Sequence, residues 1–163
     1  MTTAKLFACY AVACWLYDVL WRPSIVAREA RAAADARGKP LLNVGAGTPG
    51  SSLRTFVAGP TLWGDVNLDV AAPRGTPGPD RVTWGDIHAL PFGDAAFGAA
   101  IASHVLEHVA DPARAMAELH RVADQVFVIV PRWWAPHTWL HPGHRWFIPP
   151  SLTHARPLRR LAA

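Results

Sequence analysis

Apolar positions in the first forty residues form two blocks of different character. Leu6 to Trp21, "LFACYAVACWLYDVLW", is apolar around its whole circumference except at Asp18. That pattern predicts a helix seated either in protein or in lipid. Ala27 to Arg37, "AREARAAADAR", is a strong helix former that stops at Gly38 and Pro40. Beyond it, short apolar runs alternate with helical spacing. Leu41 to Val44 reads as a buried strand entering the glycine turn "GAGTPG", and a helix is expected over Ser52 to Val57. Further strands are expected near Val66 to Val70, Arg81 to Trp84 and Phe97 to Ser103. Asp111 and Pro112 open a helix as N-cap and first-turn residue, with Ala113, Met116, Leu119 and Val122 on one face. Gln125 to Val130 is a fifth strand, closed by Pro131. The alternation predicts an α/β protein, a mostly parallel sheet of about five strands covered on both faces.

Composition narrows the class. The 163 residues suffice for one domain with a core but not two, and the 51% hydrophobic content excludes a disordered chain. Cys9 and Cys14 support neither a disulfide framework nor a metal knuckle. They give no sign of an oxidising compartment, so the expected location is cytoplasmic. The net charge of +4 is segregated: six basic residues face three acidic ones before residue 40, and five basic residues with no acid follow Pro131. Basic ends suit an anionic surface such as lipid headgroups. Nucleic acid is disfavoured, because no dense basic run or binding module is present. Residues 6–21 rise about 24 Å as a helix, short of the roughly 30 Å of a bilayer core. A cleavable signal fits poorly there. Contact with a membrane surface and packing on the protein's own sheet both remain open. The expected organisation is a helical segment over 1–39, a ligand-binding domain over 40–131 and a Trp- and His-rich basic extension over 132–163.

In parallel α/β sheets, ligands lie beyond the carboxyl ends of the strands where strand order reverses. "GAGTPG" fits G-x-G-x-x-G literally, and Asp69 follows Gly50 by nineteen residues, where an acid would meet ribose hydroxyls. An NAD-binding oxidoreductase is therefore a competitor. Pro49 argues against it, since a pyrophosphate sits on backbone N–H groups and proline has none. A ribose-bearing ligand without a phosphate loses less.

Gly85 to Val122, "GDIHALPFGDAAFGAAIASHVLEHVADPARAMAELHRV", closely resembles the class I S-adenosylmethionine-dependent methyltransferases of the type-11 group. The shared blocks are an acid before "LPF", then "LEHV", then a helix ending in E-x-x-R-V. The resemblance runs from about Leu41 to Pro131 and continues weakly into "HPGHRWFIPPSL". It implies a Rossmann-like three-layer sandwich, S-adenosylmethionine as cofactor and methyl transfer to an acceptor. Carried over by position, Gly45, Ala46 and Gly47 would lie against the methionine and ribose parts. Asp69 would accept from the ribose hydroxyls, Asp86 from the adenine amino group, and Ile87 would pack near the base. Ser103 would stand beside the reactive methyl. His104 is the best-placed base for a protonated acceptor, with His108, one helical turn further on within "LEHV", read as structural. The apolar N-terminus and the tryptophans point toward a hydrophobic or lipid-like small-molecule acceptor.

Three positions depart from the family pattern. Asn43 stands where the family has an acid at the cofactor's amino end, and stays a cofactor-binding position because an amide can still accept a hydrogen bond. Pro49 stands where the family has a third glycine, and Gly98 where strand four usually opens with an acid. These departures keep a second reading open, a catalytically inert member serving as a binding module. The family's C-terminal strand hairpin is not expected here. That would leave residues 125–130 an edge to be covered by the N-terminal helix, the tail, lipid or a second copy of the chain. His137, His141 and His144 match no established ligand spacing, so no metal site is expected. Trp133, Trp134, Trp139 and Trp146 are read as a lid or rim.

Overall fold

Each apolar run bounded by turn residues forms a strand in the computed structural model, which describes residues 2–51, 53–75, 81–149 and 156–157. β1 (Leu41–Val44), β2 (Val66–Asp69), β3 (Thr83–Trp84), β4 (Ala99–Ser103) and β5 (Val126–Ile129) make one parallel sheet in the order β3-β2-β1-β4-β5. Strand order reverses between β1 and β4, which opens a crevice above the turn that follows β1.

Successive side chains of a strand face opposite sides, and the two faces have different cover. Leu41, Ala99, Ile101 and Ile129 pack under Ala27, Ala30 and Ala34 of α2 (Arg22–Asp35). Leu42, Val44, Ala100 and Ala102 pack under Ala115, Leu119 and Val122 of α4 (Pro112–Val122). Alanines on both helix and strand let α2 lie close to the sheet. At the start of β4 the fit is so tight that a Cβ on Gly98 would sit 2.9 Å from the Cα of Ala34. Asp111 caps α4 as expected, its carboxylate accepting from Arg114 N–H at 3.0 Å, with Pro112 in the first turn. α3 (Leu53–Ala58) follows the glycine turn.

The N-terminal elements differ from expectation. They form one continuous helical path, α1 (Thr3–Leu16), a π-helical turn over Tyr17–Trp21, then α2. Pro23 has no N–H for the preceding turn, and the chain widens into π geometry just ahead of it. Ser24 Oγ donates to the carbonyl of Leu20 at 2.9 Å across the junction. Thr3–Asp35 is long and apolar enough to cross a membrane by length and composition, and only 11% of its most apolar window is buried.

"LEHV" is the second difference: Leu106–Val109 lies in turns between β4 and α4 rather than in a helix. The tail folds back over those turns. Arg145 and Trp146 N–H groups donate to Glu107 O at 2.7 and 3.2 Å, and Trp146 Nε1 donates to Val109 O at 2.8 Å. α5 (Pro136–Leu140) and a two-residue ladder of β6 (Trp146–Phe147) with β7 (Arg156–Pro157) lie in this tail, apart from the main sheet. Among the described residues no strand pairs with the outer edge of β5. α2 covers one of its faces, where Phe127 and Ile129 pack, and Arg22 donates to Val130 O at 2.9 Å just past its end.

Candidate functional site

The crevice at the reversal is floored by the glycine turn. Gly45 and Gly47 have φ of +78° and +76°, which side chains with a Cβ rarely adopt. Packing demands glycine there too. A Cβ on Gly45 would run into Val105 Cγ2, and one on Gly47 into the Thr55 methyl. The N–H groups of the turn are already engaged. Gly45 and Ala46 donate to Leu68 O at 2.8 and 3.0 Å, Gly47 to Asp69 Oδ2 at 2.7 Å, and Thr48 to Ser51 Oγ at 3.1 Å. Pro49 has no N–H. From Gly45 to Pro49 the turn thus offers no free backbone N–H to a pyrophosphate. Ala46 is fully buried, and its carbonyl accepts from Thr61 N–H, Thr61 Oγ1 and Arg54 Nη2. Arg54 lies against the turn near Asp69, where burial lowers its pKa and the Asp69 charge opposes that shift.

Two carboxylates stand on the same rim. Asp69 ends β2 beside Trp84 of β3, and Gly85 N–H donates to Asp69 O at 3.3 Å, so Asp86 leaves the neighbouring strand end. Asp69 Oδ1 accepts from Ala71 N–H at 2.8 Å. With one N–H on each oxygen, the carboxylate keeps acceptor capacity for hydroxyl groups. Asp86 Oδ1 accepts from His88 N–H at 2.9 Å and lies 2.8 Å from His88 Nδ1, while His88 Nε2 accepts from Asp111 N–H at 3.3 Å. This pair of contacts fixes the Nδ1–H tautomer of His88. Hydrogen bonds from the His88 backbone and ring hold the Asp86 carboxyl below its usual range. Ile87 is buried in the core under α4. Ser103 ends β4, half-buried, at the crevice.

A buried polar cluster lies on the other side of the crevice, past β4 and β5. Asp18, in the π turn, is fully buried. Its Oδ1 lies 3.5 Å from Arg132 Nε and 3.7 Å from Arg22 Nη1, its Oδ2 3.6 Å from His137 Nε2. His104, at φ +55°, has Nε2 2.9 Å from Asp18 O. Its Nδ1 lies 3.2 Å from Glu107 Oε1, an ion-pair separation. Burial works against charge on His104, but the Glu107 carboxylate and Asp18 raise its pKa on balance. The ring thus has Asp18 O on one nitrogen and the Glu107 carboxylate beside the other. The position expected to supply a base therefore ties the π turn to β4. Glu107, Asp18 Oδ1 and both nitrogens of His137 lack hydrogen-bond partners among the described residues.

The profile of a methyltransferase domain matches residues 42–126, just over half of the chain. The chain belongs to this methyltransferase family. An uncharacterised 37.1 kDa protein from transposon TN4556 of Streptomyces fradiae is 39% identical over 100 residues, 55% of this chain. The match spans 29% of the length of that relative. Among solved structures, the Burkholderia thailandensis 1,6-didemethyltoxoflavin-N1-methyltransferase, determined with its substrate and S-adenosylhomocysteine, is 21% identical. The alignment covers 76% of this chain and 60% of that one, with a TM-score of 0.35.

The methyltransferase motifs acquire physical roles. In E-x-x-R-V, Glu118 accepts two hydrogen bonds from Arg121, Nε to Oε1 and Nη2 to Oε2, each at 2.9 Å, and one from Leu90 N–H at 2.9 Å. Arg121 also donates to Leu90 O, Phe92 O and Asp94. The pair clamps "LPF" onto α4, and the Arg121 bonds hold the Glu118 carboxyl down to about 2. Asn43 is buried, its Nδ2 donating to Thr61 O at 2.5 Å and Asn67 Oδ1 at 3.1 Å. Asn67 is itself oriented by Gly64, whose N–H donates to Oδ1 and whose O accepts from Nδ2. The amide nitrogen of residue 43 thus bonds within the protein, while its Oδ1 is buried with no hydrogen-bond partner among the described residues. Two groups escaped sequence reasoning. Asp18 had a signal, as the lone acid in an apolar run that must be paired once buried. The rings of His108, His141 and His144 meet at centroid separations of 4.6 to 5.3 Å although 33 residues separate the first from the second in sequence.

Proposed function

We propose that the methyltransferase transfers the methyl group of S-adenosylmethionine to a small, apolar acceptor. The observation that carries this reading is the Asp69 carboxylate, bonded to the glycine turn with acceptor capacity left over, above a turn whose N–H groups from Gly45 to Thr48 are engaged and whose Pro49 has none. That combination suits a nucleoside with free ribose hydroxyls and disfavours a dinucleotide. The cofactor supplies an activated sulfonium methyl, so the chain's own work is to position the reactants and exclude water. Asp69 would hold the ribose, Asp86 the adenine edge, and the backbone of Gly45 to Gly47 would lie against the ligand, sharing that space with Val105 and Arg54. Ser103 would border the reacting centre. His104, bonded to Asp18 O and beside the Glu107 carboxylate, would keep the wall past β4 in place, and we assign no base for the acceptor. Trp133, Trp134 and Trp139 are exposed after β5 and would form an apolar rim at the acceptor side.

Calorimetric titration with S-adenosylhomocysteine and with NAD tests the reading. The chain is expected to bind the first and not the second. Asp69→Asn is expected to weaken binding at least about tenfold, as for loss of a hydrogen bond to a charged group. Silence toward both ligands would favour the inert binding module.

The N-terminal helix favours a membrane surface as the place of action. Leu6, Phe7, Tyr10, Val12, Leu16 and Trp21 are all exposed, and Leu16 to Arg28 line a groove of about 620 Å³. A helix apolar on every side and left uncovered is matched by lipid. Flotation with phosphatidylglycerol-containing vesicles is expected to carry the full chain upward. A Phe7→Glu, Val12→Glu double variant should stay at the bottom, and a wild-type chain that stays there too removes the idea.

A further inference from the structure

We propose that His108, His141 and His144 form a binding site for a zinc-type divalent cation. Their ligand nitrogens all lie within 4.8 Å of one another. Nitrogens around a tetrahedral zinc stand about 3.3 Å apart, from bonds of about 2.0 Å, so loading draws the rings together by an ångström or so. The site is built without the ion. His108 Nδ1 lies 2.9 Å from Gly143 O, and His144 Nδ1 lies 2.8 Å from Thr138 O. Carbonyls can only accept, so both rings carry their proton on Nδ1 and present Nε2 as a lone pair. This backbone-oriented tautomer is the one that metal-ligating histidines use. His141 Nδ1 accepts from Gly143 N–H at 3.1 Å, so this ring is the opposite tautomer and must give up that bond or its Nε2 proton to ligate.

The segments bearing the rings are held together by the bonds from Arg145 and Trp146 to Glu107 O and from Trp146 to Val109 O. Little chain entropy therefore remains to be lost on loading. The second, independent observation is Glu107. Its carboxylate is buried, neither oxygen has a hydrogen-bond partner among the described residues, and it interacts electrostatically with all three rings. His104 stands 3.2 Å from Glu107 Oε1, and a cation at the three rings would add to that compensation. Three imidazoles select zinc-type ions over magnesium and calcium, which take oxygen donors. His144 is buried and His141 exposed, so the site has a closed floor and an open side.

The test uses the untagged full chain, stripped with chelator and dialysed against Zn²⁺ with a competing chromophoric indicator. One equivalent of zinc per chain is expected. Removal of a ligand should exceed the roughly 100-fold loss typical of removing an outer partner, so His141→Gln should weaken binding by more than that. His141 is exposed, so this variant should fold, and circular dichroism checks it. His120→Gln, an exposed histidine on α4, should bind as the wild type does. Absence of stoichiometric uptake, or uptake unchanged in His141→Gln, overturns the site. The readout is bound metal, so it stands or falls separately from cofactor binding.

Discussion

Gly98→Asp is expected to cost the methyltransferase about 3 kcal/mol or more of stability. A Cβ at this position meets Ala34 Cα at 2.9 Å, Ala34 O at 3.0 Å and the Lys39 Cβ at 3.1 Å. Two of these atoms are helix backbone, so α2 itself must move. Overpacking of that kind costs about 1–3 kcal/mol, and the carboxylate adds the cost of a buried charge beside a carbonyl. Gly98→Ala isolates the steric part and should lose less. Urea denaturation midpoints of the three chains give the comparison, and an unchanged midpoint for the aspartate variant would refute the argument. The acid usual in the family is absent here because α2 occupies its space.

Asn43→Asp should cost about 2–4 kcal/mol at neutral pH, for the opposite reason. No steric change occurs, but the donor facing Thr61 O and Asn67 Oδ1 becomes an acceptor in a buried site. The folded state would favour the protonated acid, which still donates one bond, so the folded pKa of the introduced carboxyl rises above its unfolded value of about 3.9. The variant's deficit should therefore be small below that value and grow as pH rises until the folded pKa is passed. Parallel denaturation series at acid and neutral pH would show it. Equal deficits at both would mean that the amide bonds contribute little.

These two positions also mark the limit of what the chain discloses by itself. The strands were legible because "LLNV", "AAIAS" and "VFVI" are short apolar runs closed by glycine, turn residues or proline, and parallel order follows from their alternation with helices. The rim was legible as well, since Asp69 and Asp86 fall at strand ends, where the structure brings them to one edge. Asn43 and Gly98 looked like losses of family character. Each is an adjustment to a neighbour distant in sequence, Thr61 and Asn67 in one case and α2 in the other. The histidine cluster was illegible for the same reason, because it exists only where the tail folds back over the "LEHV" turns. "LEHV" itself has helical composition, yet Leu106 is pulled into the core and Glu107 O receives two N–H groups from the tail.

The π turn at Asp18 has a geometric consequence. Such a turn carries one residue more than the α turn it replaces, and one residue is about 100° of rotation. The azimuth of the outer apolar half relative to the catalytic body thus depends on a single inserted position. Excising it would turn the outer half a quarter-turn or more about its own axis and withdraw the carboxylate that docks the rod against Arg132 and His137.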